Sequence, residues 1–159
     1  MAGTTFTETK HIIENTDNKL SVIYTAITAS GGDDATTRTL VNIADASDYK
    51  VNGSALATTG FNRSNGQAIT GLIIDQIWIS TSSVGSSAFE AKLAWHADTP
   101  IPFLFTTEST GMQYHDYRSV GGLKNAKNTN HDGDIEMTSL GAGTAGDSIS
   151  IVLQMRKIF

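Results

Sequence analysis

The chain has no cysteine and only two prolines among 159 residues. Without thiols, neither disulfides nor thiolate metal sites can hold it together, so stability must come from a buried core. The length suits one domain, read here as residues 1–159, that buries roughly two-thirds of its unfolded surface. Positive charge is also scarce: 11 Lys and Arg stand against 16 Asp and Glu, a formal net charge of -5. The basic residues are scattered singly, apart from Arg156-Lys157. Nucleic-acid binders carry a clustered basic face, so no direct nucleic-acid partner is expected. There is no run of about 20 apolar residues, the length a membrane span needs. The start, MAGTTFTETKH, lacks the basic region and apolar run of a secretory signal. The Ala/Leu/Glu/Lys mixture of helical proteins is thin.

Threonine, serine, glycine and isoleucine are common instead. Beta-branched residues are stiff at their first torsion and pack well on pleated surfaces. The expected class is therefore all-β. In FEAKLAWHAD, Phe89, Ala91, Leu93, Trp95 and Ala97 share one side, while Glu90, Lys92, His96 and Asp98 share the other. Period two is the signature of a strand with one dry face. SISIVLQMRK (148–157) alternates in the same way. LIIDQIWIS (72–80) alternates more loosely and reads as a central strand with both faces partly covered, as does KLSVIYTAIT (19–28). TTFTETKHII (4–13), TRTLVNIA (37–44), IPFLFTTE (101–108) and DIEMTS (134–139) bring the expected strands to eight.

Asn52-Gly53 and Asn65-Gly66 are tight-turn dipeptides, because both residues tolerate positive φ. Pro100 and Pro102 flank Ile101, a stiff lead-in that suits an edge strand. Strands at this spacing, with turns between, predict a two-sheet β-sandwich, jelly-roll-like, of about eight strands.

GAGTAG (141–146) fits the G-x-G-x-x-G pattern of dinucleotide sites. That pattern works only where the glycines open a helix facing the pyrophosphate. A strand-like segment follows here, so a hairpin loop is expected and no cofactor. In NTNHDGDIE, Asn128, Asn130, Asp132 and Asp134 supply oxygens at alternate positions, a calcium-like pattern. The bidentate Glu that closes an EF-hand loop at position twelve is replaced by Ser139. A polar turn is the favoured reading; a calcium site between subunits is the alternative. His11, His96, His115 and His131 form no metal spacing. Asp116 beside His115 could orient an imidazole, but neighbours in a strand point apart and no nucleophile motif accompanies them. No enzyme is expected. Tyr114, His115 and Tyr117 read as core or subunit contact, with a sugar-binding patch as the alternative.

The C-terminal third carries an ordered series: Tyr117-Arg118, Gly121-Gly122-Leu123-Lys124-Asn125, Gly133-Asp134-Ile135, the Gly/Ala run, then Asp147 to Lys157. Together with Leu93-Ala94-Trp95 upstream, this resembles small virion structural proteins of phages of marine bacteria and cyanobacteria. Ile158-Phe159 extend past the usual Arg-Lys end, and NAKNTNHDG replaces a shorter connection. The resemblance implies a capsid decoration (cement) protein on the virion surface, made in the host cytoplasm. Its implied partner is the major capsid protein, which it would bind as a homo-trimer. Arg118, Lys124 and Lys127 are the expected contacts to acidic shell surface, since Arg and Lys pair with carboxylates. Residues 1–10 would be an arm that orders on a neighbour. The alternative is a receptor- or glycan-binding module of a tail or fibre, in which Trp78, Tyr114 and Tyr117 cluster on an exposed surface near Asp132 and Asp134.

Overall fold

A computed structural model gives the fold and describes residues 5–30, 37–84, 90–106, 111–125, 132–139 and 144–159. The strands are β1 (Thr5–Asn15), β2 (Lys19–Ser30), β3 (Thr37–Val41), β4 (Lys50–Val51), β5 (Ser54–Ala55), β6 (Gly71–Ser82), β7 (Ala91–Trp95), β8 (Ile101–Phe105), β9 (Gly111–Asp116), β10 (Leu123–Lys124), β11 (Ile135–Ser139) and β12 (Ser148–Ile158). Each of the eight expected segments overlaps one of them, and β1, β2, β6 and β12 run beyond the expected ends. β9 and the short β4, β5 and β10 are additional.

The larger sheet runs β10-β6-β12-β2-β1-β4-β5, with β9 also paired to β6; the smaller runs β3-β11-β7-β8. Within them, β2-β12-β6-β9 lies against β3-β11-β7-β8. That is the strand order of a jelly roll. The remaining strands widen the larger sheet at both sides. β1 begins at Thr5 and pairs along β2, so residues 5–10 are built into the sheet rather than forming an arm. β8, with Pro102, is an edge strand as its prolines predict.

The core lies between the sheets. Val22, Tyr24, Ile77, Ile79, Ile151 and Leu153 project from the larger sheet, and Leu93, Trp95, Ile135 and Met137 from the smaller. Full burial of each aliphatic side chain is worth about 1.5–3 kcal/mol. The loose alternation of β6 has a local cause. Gln76 faces Gln154 and Ile74 faces Met155, leaving Asp75 as an extra residue. This β-bulge resets the period, so Leu72 and Ile74 share the inner face with Ile77 and Ile79. At Asn52-Gly53 both residues have positive φ (49° and 82°), the geometry of a two-residue hairpin joining β4 to β5.

The glycine run does not close a hairpin. β11 pairs with β3 and β7, whereas β12 pairs with β2 and β6. The segment between them crosses from one sheet to the other, as a jelly roll requires. Residues 141–143 lie outside the described residues. The end of the run turns through Gly146 (φ 97°) directly into strand β12 and opens no helix.

Candidate functional site: the outer face of the larger sheet

Alternation that sends one set of side chains into the core sends the other to the outer face of the larger sheet. Register aligns them in rows. One row holds His11, Ile23, Val152, Trp78 and Tyr114. The row above is Thr9, Thr25, Ser150, Ser80 and Met112; the row below is Glu14, Ser21, Gln154, Gln76 and Asp116. A hydroxyl row thus borders an apolar and aromatic row, which borders a row of amides and carboxylates.

Trp78 and Tyr114 pack against each other as a tilted pair, ring centroids 5.0 Å apart and planes at 32°. Tyr114 is 48% and Met112 76% exposed. The Tyr114 hydroxyl donates to Asp116 Oδ2 at 3.0 Å and accepts from Gln76 Nε2, which fixes the ring over the sheet. Arg118 grips the same carboxylate through Nε (2.9 Å to Oδ1) and Nη2 (2.5 Å to Oδ2). Those hydrogen bonds from Arg118 hold the Asp116 carboxyl well below the usual range.

The expected contact residues therefore separate. Tyr114 joins Trp78 on the outer face. Tyr117 turns the other way and stacks on His115, centroids 6.3 Å apart, packing against the core. The three rings do not form one patch, and His115 does not meet Asp116, whose carboxylate belongs to Arg118. Arg118 is exposed, with its charge paired to Asp116. Lys124 is exposed on β10. Lys127, Asn128 and Asn130 lie outside the described residues.

The two carboxylates of the calcium-like pattern have separate partners. Asp132 Oδ2 lies 2.5 Å from His96 Nδ1, and Asp134 Oδ1 accepts the Ile43 N–H at 2.7 Å. Asp134 thereby ties the lead-in of β11 to the loop after β3. Among the described residues no three His, Asp or Glu side chains converge as a metal site would need.

Burial pushes the Asp134 carboxyl up to about 6, with the charge of Asp132 adding, against the opposing pull of the Ile43 N–H and His96. Burial lowers His96, but the hydrogen bond and charge of Asp132 outweigh it, and its net shift is upward from 6.5. Both folded-state values lie above the ordinary ones. Each contribution to stability is therefore complete below the ordinary value and is lost as pH rises through the folded one. Asp134→Asn keeps an acceptor for Ile43 but cannot ionise. It is expected to melt about 3 °C above the parent at pH 8, a gain of about 1 kcal/mol, and to lose that advantage below pH 4. Melting curves of both proteins across pH 4–8 check this.

A cavity of about 380 Å³ beside β1 is lined by Glu8, Lys10, His11, Asp48 and Lys50. Lys10 pairs there with Asp48 at 3.3 Å and lies over the Tyr49 ring, so part of its charge is already balanced.

Compared with known protein families and with curated proteins, the chain matches none.

Proposed function

We propose that this chain is a structural protein of a phage virion, a decoration protein that binds and reinforces the major capsid protein lattice as a homo-trimer. What supports the reading, besides the sequence resemblance, is where the resembling residues meet. Arg156 donates to both Asp75 oxygens (Nε to Oδ2 2.9 Å, Nη2 to Oδ1 2.7 Å) and to the Gly121 carbonyl at 2.7 Å. One side chain thus joins the β6 bulge, the Gly121-Gly122 corner and the terminal strand. Gly133 packs where a Cβ would sit 2.7 Å from Ile43 Cδ1. These motif residues serve joints of the scaffold, as a structural module requires. A partner that binds only the assembled shell stabilises it by mass action, and many copies gain through effective concentration.

Purified protein added to emptied capsids is expected to sediment with them and to raise their disruption temperature. Lys124→Glu, reversing an exposed cation, is expected to weaken that binding. No co-sedimentation and no shift in disruption temperature would overturn the reading. The half-buried Trp78 and exposed Tyr114, paired on the outer face, favour a second reading, a glycan-binding module of a tail or fibre, and imaging of the labelled chain on the particle separates head from tail.

A further inference from the structure

We infer that the outer face of the larger sheet binds a neutral oligosaccharide, one sugar ring packing against the Trp78–Tyr114 pair and its hydroxyls meeting Gln154 and Arg118. This rests on the glycan-binding reading, but does not depend on whether the chain sits on head or tail.

The chemistry of the face selects the ligand. A sugar ring has C–H-rich faces and a rim of hydroxyls that both donate and accept. It therefore needs an apolar platform with mixed polar groups beside it. Adjacent rows of a sheet face stand about 7 Å apart and adjacent strands about 4.8 Å. Trp78 and Tyr114, on neighbouring strands, form a tilted aromatic pair that supplies the apolar platform. One row below are Gln154 and Gln76. The Gln154 side-chain amide has no hydrogen-bond partner among the described residues, so it is free to donate and accept. Gln76 and Asp116 hold Tyr114 in place before any ligand arrives, which lowers the ordering cost of binding.

Charge decides between neutral and acidic saccharides. A shallow depression of about 140 Å³ below the platform is lined by Glu14, Lys19, Asp75, Gln76, Arg118 and Gln154. Arg118 is paired with Asp116 at 2.5 Å and Arg156 with Asp75 at 2.7 Å. Glu14 and Lys19 add one charge of each sign, so the surroundings balance. An acidic sugar would meet no unpaired cation except Lys19, with Glu14 beside it. A neutral ring meets donors and acceptors at no electrostatic cost. The Thr and Ser hydroxyls above the platform continue the polar surface for further rings.

The test titrates the full chain with cellohexaose, xylohexaose and mannohexaose, and with hexaguluronate as the acidic probe. Calorimetry and tryptophan fluorescence are the readouts. The second tryptophan, Trp95, is buried, so a fluorescence change reports Trp78. At least one neutral hexasaccharide is expected to bind saturably. Trp78→Ala and Gln154→Ala are each expected to weaken it, the first by tenfold or more. Tyr114→Phe, which keeps the ring, is expected to weaken it less than Tyr114→Ala. Lys124→Ala, off the platform, is expected to leave it unchanged. If Trp78→Ala fails to fold, the Tyr114 and Gln154 variants carry the comparison. Binding of hexaguluronate alone would overturn the neutral-ligand inference while leaving a glycan-binding face. Binding of neither class, or binding indifferent to all three platform variants, would overturn the inference. The capsid reading is judged separately by co-sedimentation.

Discussion

Gly122→Ala is expected to lower the melting temperature by about 9 °C, whereas Gly121→Ala next to it costs only about 3 °C. Both glycines have positive φ, 85° at Gly121 and 89° at Gly122. An L-residue pays about 1–2 kcal/mol for that conformation at either position. They differ in what surrounds them. A Cβ on Gly121 meets nothing within 4 Å. A Cβ on Gly122 would overlap Ile73 Cγ2 and lie 2.7 Å from Arg156 Nη2 and 2.9 Å from Asp75 Oδ1. Relieving that contact means moving the guanidinium that joins the β6 bulge to the Gly121 carbonyl. Overpacking of this kind adds about 1–3 kcal/mol, for a total near 3 kcal/mol, and each kcal/mol shifts melting by about 2–4 °C in a chain of this size. Parallel thermal melts of the two variants measure the difference. Equal losses would mean that the Arg156 joint yields without cost.

Asp147→Ala is expected to cost about 3 kcal/mol, or about 9 °C, and Asp147→Asn less than half of that. Asp147 is fully buried, at 0% exposure. Its Oδ1 accepts the Val84 N–H at 2.9 Å and its Oδ2 accepts the Thr144 N–H at 3.2 Å. Its carbonyl accepts both the N–H and the hydroxyl of Thr28, at 2.8 and 3.0 Å. One residue thus fastens the chain after β6, the turn before β12 and the far end of β2. Alanine leaves two donors without acceptors, at about 1–3 kcal/mol each at most, because both are partly open to water. Asparagine retains one acceptor oxygen and forfeits the other bond. Hydrogen exchange at Val84 and Thr144 should speed up in the alanine variant before global unfolding does. Unchanged exchange at both amides would show that the carboxylate is dispensable.

Legibility in the sequence followed the range of the interaction. Ala91-Leu93-Trp95 and Ile149-Ile151-Leu153-Met155 announced their dry faces, and those residues are buried. β9 was missed because Met112 and Tyr114, its large side chains, face outward. Such a strand has no dry stripe, although its partner β6 pairs with it over six residues, Gln76 to Thr81. The loose pattern at 72–80 was a bulge, detectable as the odd three-residue step from Ile74 to Ile77. Of the residues on the outer face, Trp78 and Tyr114 were legible as aromatic candidates, whereas the amides beside them were not. Gln76 and Gln154 carry no local signal and come together only because β6 and β12 are adjacent. Asp116 claimed Arg118 two residues away, a pairing that spacing alone could have suggested.

The sequence by itself determined that the chain is all-β, where its principal strands run and where it turns at Asn52-Gly53. These follow from properties carried within a few residues: the alternation of side chains along a strand, and the ease with which Asn and Gly adopt positive φ. Tertiary structure alone decided that the connection from β11 to β12 crosses between sheets, that Asp134 fastens a loop, and that Gln76 and Gln154 join Trp78 and Tyr114 on one outer face. Each of those depends on pairing between segments distant in the chain, Gln76 with Gln154 and Ile43 with Asp134 among them. Such pairings are selected by how well two apolar faces pack across the whole sandwich, a property that belongs to no single segment.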